Sequence, residues 1–242
     1  MKQNTFSTII STFKDYKHYY NKVLPASLIA WGVSLCFVFF LIPFGAFASY
    51  LLFCILCVGL QQFNIMLLEG KKPKVEIVFS RFNQTLTAFL IKTLKLIYIF
   101  LWSLLFIVPG IICALNYAFS SHVFADEPKL STFEVLEKSK KLAIGHRTKL
   151  FMIGLFVILL TLAGFSVSAL MVVLIKQFVI LPLWLNTSIM FLIFGLVFIL
   201  VILPFVEISL TKCYLQAKNL NKTQKKVKNT NKEKESFDII TA

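Results

Sequence analysis

Runs of about 20 consecutive, almost wholly apolar residues recur along this chain, and they constrain its fold more than any other feature. A helix needs about 20 such residues to cross the ~30 Å hydrocarbon layer, and the stretches 23–42, 44–68, 150–175 and 187–209 each have that length. Only 15% of the 242 residues are charged, whereas 58% are hydrophobic and 26 are Phe. A soluble domain carries about 25% charge, so this chain cannot wet a globular surface. The pattern predicts an all-α, polytopic membrane bundle with interfacial amphipathic helices. It excludes a free cytosolic enzyme, a disulfide-stapled secreted domain and a disordered protein.

The region 88–125 needs a separate argument. As one helix it would reach about 57 Å at 1.5 Å per residue, nearly twice the hydrocarbon thickness. Pro109-Gly110 stands near its middle, where a turn is cheapest, so the reading is two spans, 88–108 and 111–125. The expected organisation is then a cytoplasmic segment 1–22, a six-span domain over 23–215 arranged as three hairpins, and a basic disordered tail over 216–242. Ala46-Phe47-Ala48 has small-x-small cleavage character, but the apolar stretch before it is longer than a signal core. The first segment is therefore read as a retained span.

Basic residues test the span count, because cytoplasmic loops hold the excess of Lys and Arg. Six spans with both termini inside put every Lys and Arg except Lys176 on the cytoplasmic side of a cell membrane. A single kinked helix over 88–125 would instead place the loop 126–149 and the tail opposite the head. The net charge of +14 is therefore read as an orientation signal, and no nucleic acid is expected. The tail lysines would be drawn to anionic inner-leaflet lipid.

Each hairpin carries a proline near its outer tip, at Pro43, Pro109 and Pro182, and each follows a mixed basic and apolar stretch: 6–22, 75–87 and 131–148. This looks like a threefold repeat of surface helix plus hairpin. The third stretch has the clearest local design. Ser131-x-x-Glu134 is a capping box and Gly145 supplies a stop, with Phe133, Leu136, Leu142 and Ala143 available to lipid or protein and Lys138 and Lys141 to water.

Few residues are available for chemistry. Lys92 and Lys95 share a helix face and are expected to snorkel to the inner headgroups. Glu207, a short carboxylate near the end of the last span, is expected to pair with Lys95, Lys92 or Lys212. His122 and Asp126 stand four apart, a spacing that allows a hydrogen bond. Asn116 is expected to bond across the bundle, and Gly154, Gly164 and Ser168, with Gly45 and Ser49, to allow close helix contact. The cysteines lie in or beside apolar runs and are read as packing residues. No phosphate loop, serine elbow or His-Glu-x-x-His occurs, so the chain is read as no enzyme, with no metal and no cofactor.

The residues Leu101-Trp102-Ser103, Val108-Pro109-Gly110-Ile111-Ile112, Tyr117, Ala125-Asp126-x-Pro128, Ser131, Glu134, Ser139-Lys140, Gly145-His146-Arg147-x-Lys149-Leu150-Phe151, Pro204 and Tyr214 resemble the bacterial integral membrane family called domain of unknown function 975. The similarity covers residues 60–215. The chain departs from the family at His122, where tyrosine is usual, and at Thr148, where tryptophan is common. The resemblance implies a polytopic bacterial membrane protein and transfers no catalytic residue. Two readings follow: a non-enzymatic scaffold or accessory subunit engaging lipid, a protein partner or a second copy of itself, and a permease-like component moving a hydrophobic or peptide substrate.

Overall fold

The computed structural model describes residues 5–40, 45–178, 188, 191–192, 194–195 and 198–241, and among these every regular element is helical. The order is α1 (Thr5–Phe40), α2 (Gly45–Leu68), two short 3-10 turns (Val75–Phe79 and Phe82–Gln84), α3 (Thr85–Leu105), α4 (Ile107–Asn116), α5 (Ser120–Asp126), α6 (Thr132–Ala143), α7 (Arg147–Phe178), a π-helical turn (Phe198–Ile202) and α8 (Leu203–Thr241). Five helical stretches are long and apolar enough to cross a membrane: Phe47–Leu68, Val75–Leu105, Ile107–Asp126, Arg147–Leu174 and Leu200–Asn221. The prolines Pro43 and Pro182 of the outer tips lie outside the described residues.

The segment 1–22 and the first apolar run are not separate elements. From Thr5, α1 runs unbroken to Phe40 with Pro25 inside it, burying Val23, Ala26, Ser27 and Ala30, a spacing of three and four that keeps one face inward. It lies antiparallel to α8: the Tyr16 hydroxyl donates to the Val201 carbonyl at 3.1 Å, and the Lys212 ammonium donates to Ser11 Oγ at 2.9 Å. The tail likewise departs from the disordered reading, since α8 continues to Thr241. Its many Lys, Gln and Glu residues are good helix formers.

The second hairpin is built differently from the expectation. The chain turns at Phe106, which is extended (φ −159°, ψ 152°), and Pro109 sits inside the first turn of α4. A proline belongs there because the amide it lacks would have no partner in a first turn. Gly110 serves packing rather than the turn. A Cβ on it would lie 2.2 Å from Ser103 Oγ and 2.9 Å from Ser103 Cα, so α3 and α4 meet backbone to backbone. Tyr98 and Tyr117, further from the turn, have ring centroids 5.7 Å apart, which makes the pair antiparallel. The expected span 111–125 is also interrupted, between Asn116 and Ser120.

The stretch 75–87 does not form a surface helix. Its first 3-10 turn presses into the middle of α2, where Val78 is fully buried and a Cβ on Gly59 would fall 1.9 Å from the Val78 carbonyl oxygen. The three stretches read as a repeat thus take three local forms: the start of a long helix, a pair of 3-10 turns, and α6. Gly154, expected at a close contact, has nothing within 4 Å of a Cβ. The close approaches are at Gly59 and Gly110.

α6 matches its sequence signals because they are local. The Glu134 carboxylate accepts from the Ser131 N–H and the Ser131 hydroxyl, both at 2.8 Å, and Gly145 ends the segment at φ +90°, a conformation that favours glycine. Val135, Leu136, Ser139, Leu142 and Ala143 are buried, while Phe133 is exposed. The Ser131 bonds hold the Glu134 carboxyl below the usual carboxylate range. A carboxyl lowered by folding stabilises above its unfolded pKa, and that share is lost as the pH falls through the folded value. Ser131→Ala should therefore cost about 1 kcal/mol at neutral pH, and its melting temperature should converge on that of the parent on acidification. Thermal unfolding in detergent at neutral and acidic pH checks both effects.

Candidate functional site

Three polar helix faces converge at the end of the bundle that carries α6. On α8, Glu207, Thr211, Tyr214 and Lys218 recur at intervals of four, three and four residues and so form one stripe. On α5, His122 and Asp126 stand one turn apart. α2 contributes Gln61, Gln62 and Asn64. Polar side chains in apolar surroundings must find one another, because an unmet donor or acceptor there costs about 1–3 kcal/mol.

The inner group is a chain of hydrogen bonds. The Gln61 amide donates to the Glu207 carboxylate, and the Thr211 hydroxyl donates to the Glu207 carbonyl at 2.7 Å. With its one proton used, Thr211 Oγ1 can only accept from His122 Nε2, 3.2 Å away. That contact assigns the Nε2–H tautomer, leaving Nδ1 as the acceptor. Nδ1 is buried and has no hydrogen-bond partner among the described residues, as is also true of both side-chain polar atoms of Asn64. The His122 ring lies 5.4 Å from that of Tyr214.

The outer group joins the helix ends. The Asp126 carboxylate accepts from the Tyr214 hydroxyl at 2.9 Å and pairs with the Lys218 ammonium at 2.5 Å. Arg81, just after the inserted 3-10 turn, donates through Nε to Gln62 Oε1 at 2.8 Å and through Nη2 to the Ala125 carbonyl at 3.2 Å. The second bond places a cation on a carbonyl in the last turn of α5, where the helix dipole favours positive charge. Arg147 Nε donates to Asn116 Oδ1 at 2.9 Å, and Ser139 of α6 donates to the Asn116 carbonyl at 3.0 Å. Lys138 pairs with Glu127.

Several expected pairings are replaced. His122 and Asp126 do not bond to each other; each turns to α8, which offers a hydroxyl to one and an ammonium to the other. Glu207 takes its hydrogen bond from Gln61 rather than from a lysine. Lys92 does not run to the headgroups: its ammonium stands over the Phe53 ring, 4.0 Å from the centroid, a cation–π contact that is strong where water is scarce. Lys95 is half-buried and within electrostatic reach of His122 and Cys57. His146 begins the turn into α7, its amide donating to the Ala143 carbonyl at 2.9 Å. Burial, and then the Lys149 charge, lower its pKa, so it is neutral at pH 7.

Sequence reasoning missed Gln61, Gln62, Thr211 and Lys218. A signal was available in the three amides interrupting the apolar run of α2 and in the polar stripe on α8. Among the described residues no group of three or more His, Cys, Asp or Glu side chains is placed to hold a metal ion. Cys54, Cys57, Cys113 and Cys213 are buried free thiols. Outside the polar chain, a cleft of about 290 Å³ opens between α6 and the base of the α3–α4 pair, lined by Tyr98, Tyr117, Phe133, Leu136, Glu137 and Lys140. Comparison with known proteins finds no matching family model, no matching curated protein and no matching solved structure.

Proposed function

We propose that this chain is an integral protein of a bacterial cell membrane that acts without catalysis, as a scaffold or accessory subunit of a membrane complex. The observation that carries the reading is the mooring of α6. Ser139 bonds to Asn116, Val135, Leu136, Leu142 and Ala143 are buried, and Phe133, Glu137, Lys140, Lys141 and Ile144 remain exposed on the other side. A helix fixed this firmly presents a mixed charged and apolar face in one orientation, which suits a docking surface for a protein partner. The family resemblance belongs to the same reading and rests on the residues quoted for it.

The topology that accompanies it is three hairpins, six passages into the bilayer in all. The termini, the connectors and α6 lie on the cytoplasmic side, where the basic residues belong. The lysines of α8 beyond Lys218 then face anionic lipid. A second reading, a permease-like component for a hydrophobic or peptide substrate, is favoured by one feature: the buried Gln61–Glu207–Thr211–His122 chain, which could line a path if the helices parted.

Purification in mild detergent separates the two. A soluble protein or ATPase that co-purifies with the parent, and is lost on Phe133→Asp, supports the subunit reading. Purified protein that alone moves a substrate into vesicles, and loses that activity on Glu207→Leu, overturns it in favour of transport.

A further inference from the structure

We infer that α3 and α4 form a re-entrant hairpin whose tip ends in the hydrocarbon of a single leaflet, covered by lipid acyl chains, rather than two complete crossings. The inference rests on the membrane reading above but not on which face is cytoplasmic.

Hydrogen bonds between helices fix their relative heights. The Asn116–Arg147 bond of 2.9 Å sets the last residue of α4 level with the first residue of α7. α7 is a full crossing: no charge interrupts it between Lys149 and Lys176. From Asn116 back to Ile107, α4 has 10 residues, which at 1.5 Å each is about 15 Å, half of the ~30 Å layer. The other limb agrees. From Lys95, the last charge of α3, the run Leu96–Leu105 again gives about 15 Å to the turn at Phe106.

α5 adds no depth. The rings of Phe119 and His122 lie 5.7 and 5.4 Å from that of Tyr214, and Asp126 accepts the hydroxyl of the same tyrosine at 2.9 Å. The whole of α5 is therefore gathered around one α8 side chain. Cys213, its neighbour in sequence, is within electrostatic reach of Lys149, so α5 lies at the height where α7 begins.

The composition of the tip points the same way. Leu104-Leu105-Phe106-Ile107-Val108 contains no polar residue, and Leu104 and Ile107 are 76% and 77% exposed. A turn emerging into water would leave this surface wet, at a cost of about 25 cal/mol per Å² of apolar area. α7, by contrast, carries Lys176-Gln177 near its far end. The break at Phe106 also suits a dry setting. Its N–H donates to the Trp102 carbonyl at 3.2 Å, its carbonyl accepts the Gly110 N–H at 3.3 Å, and Pro109 has no N–H to satisfy. The exposed apolar surface is continuous in kind with that of α7, where Leu155, Ile158, Leu159 and Leu162 also face outward. A hairpin of this shape fills one leaflet and leaves the other undisturbed.

The test is depth-dependent quenching. Phe106→Cys and Lys176→Cys are each labelled with an environment-sensitive fluorophore in vesicles of phosphatidylcholine and phosphatidylglycerol, with the unsubstituted protein as the blank. Quenching by lipids spin-labelled deep in the acyl chain is compared with quenching by headgroup-labelled lipids. Position 106 is expected to be quenched at least about twofold more by the deep label, and position 176 to show the reverse order. A profile at 106 matching that at 176 overturns the inference, as does modification of the thiol at position 106 by a membrane-impermeant reagent. Position 106 unquenched by either lipid would show another protein surface covering the tip and would also overturn it. A variant that does not fold is recognised by its gel-filtration profile, and Val108→Cys then takes its place. The measurement is blind to sidedness, so it fails independently of the cytoplasmic assignment.

Discussion

Gly59→Ala should destabilise the protein by about 3 kcal/mol, the upper end of the cost of overpacking, and should lower its abundance in membranes several-fold. The added Cβ would stand 1.9 Å from the Val78 carbonyl oxygen and 2.6 Å from the carbonyl carbon. Both are backbone atoms of the inserted 3-10 turn, so no rotamer change relieves the overlap. Expelling the turn would also withdraw Arg81 from Gln62 and from the end of α5, loosening the tie between α2, α3 and α5. Gly154→Ala is the control: open space surrounds that site, and alanine in a helix interior should stabilise by about 0.5–1 kcal/mol. Thermal unfolding of the two variants in one detergent compares them directly. Equal melting temperatures would show that the turn does not press on Gly59.

The second large effect is expected at the buried hydrogen-bond chain. Gln61→Leu removes the amide that donates to the Glu207 carboxylate and leaves that group unmet in the bundle, at about 3 kcal/mol. Replacing both partners removes the unmet group along with the bond. The double variant Gln61→Leu/Glu207→Leu should accordingly recover most of the loss. A cycle of the two single variants, the double variant and the parent measures the coupling. Additive single effects would mean that the two side chains do not depend on each other.

What can be read in the sequence divides along the line between local and distant causes. α6 is legible to the residue, because Ser131, Glu134 and Gly145 act within one or two turns of themselves. The long apolar runs are legible because the bilayer sets their length, so α2 and α7 fall close to the expected 44–68 and 150–175. The partner of Glu207 is not, since Gln61 lies far away in the chain and only the packing of α2 against α8 brings the two together. Spacing alone sets His122 against the nearest acid, Asp126, whereas tertiary contacts give each residue a separate partner on α8. Propensity alone makes Pro109-Gly110 a turn. The proline is equally at home in a first helical turn, and the glycine answers a crowded contact with Ser103 that no local pattern announces.

In the proposed topology the chain returns to one face of the membrane at the ends of α2, α5 and α8, with α6 on the cytoplasmic side. A cysteine in place of Glu137, an exposed position on α6, reports this most directly, with Lys176→Cys as the opposite marker and the unsubstituted protein as the blank. A membrane-impermeant maleimide added to intact cells should label position 176 and leave position 137 unmodified until the cells are opened. Labelling of position 137 in intact cells would contradict the account.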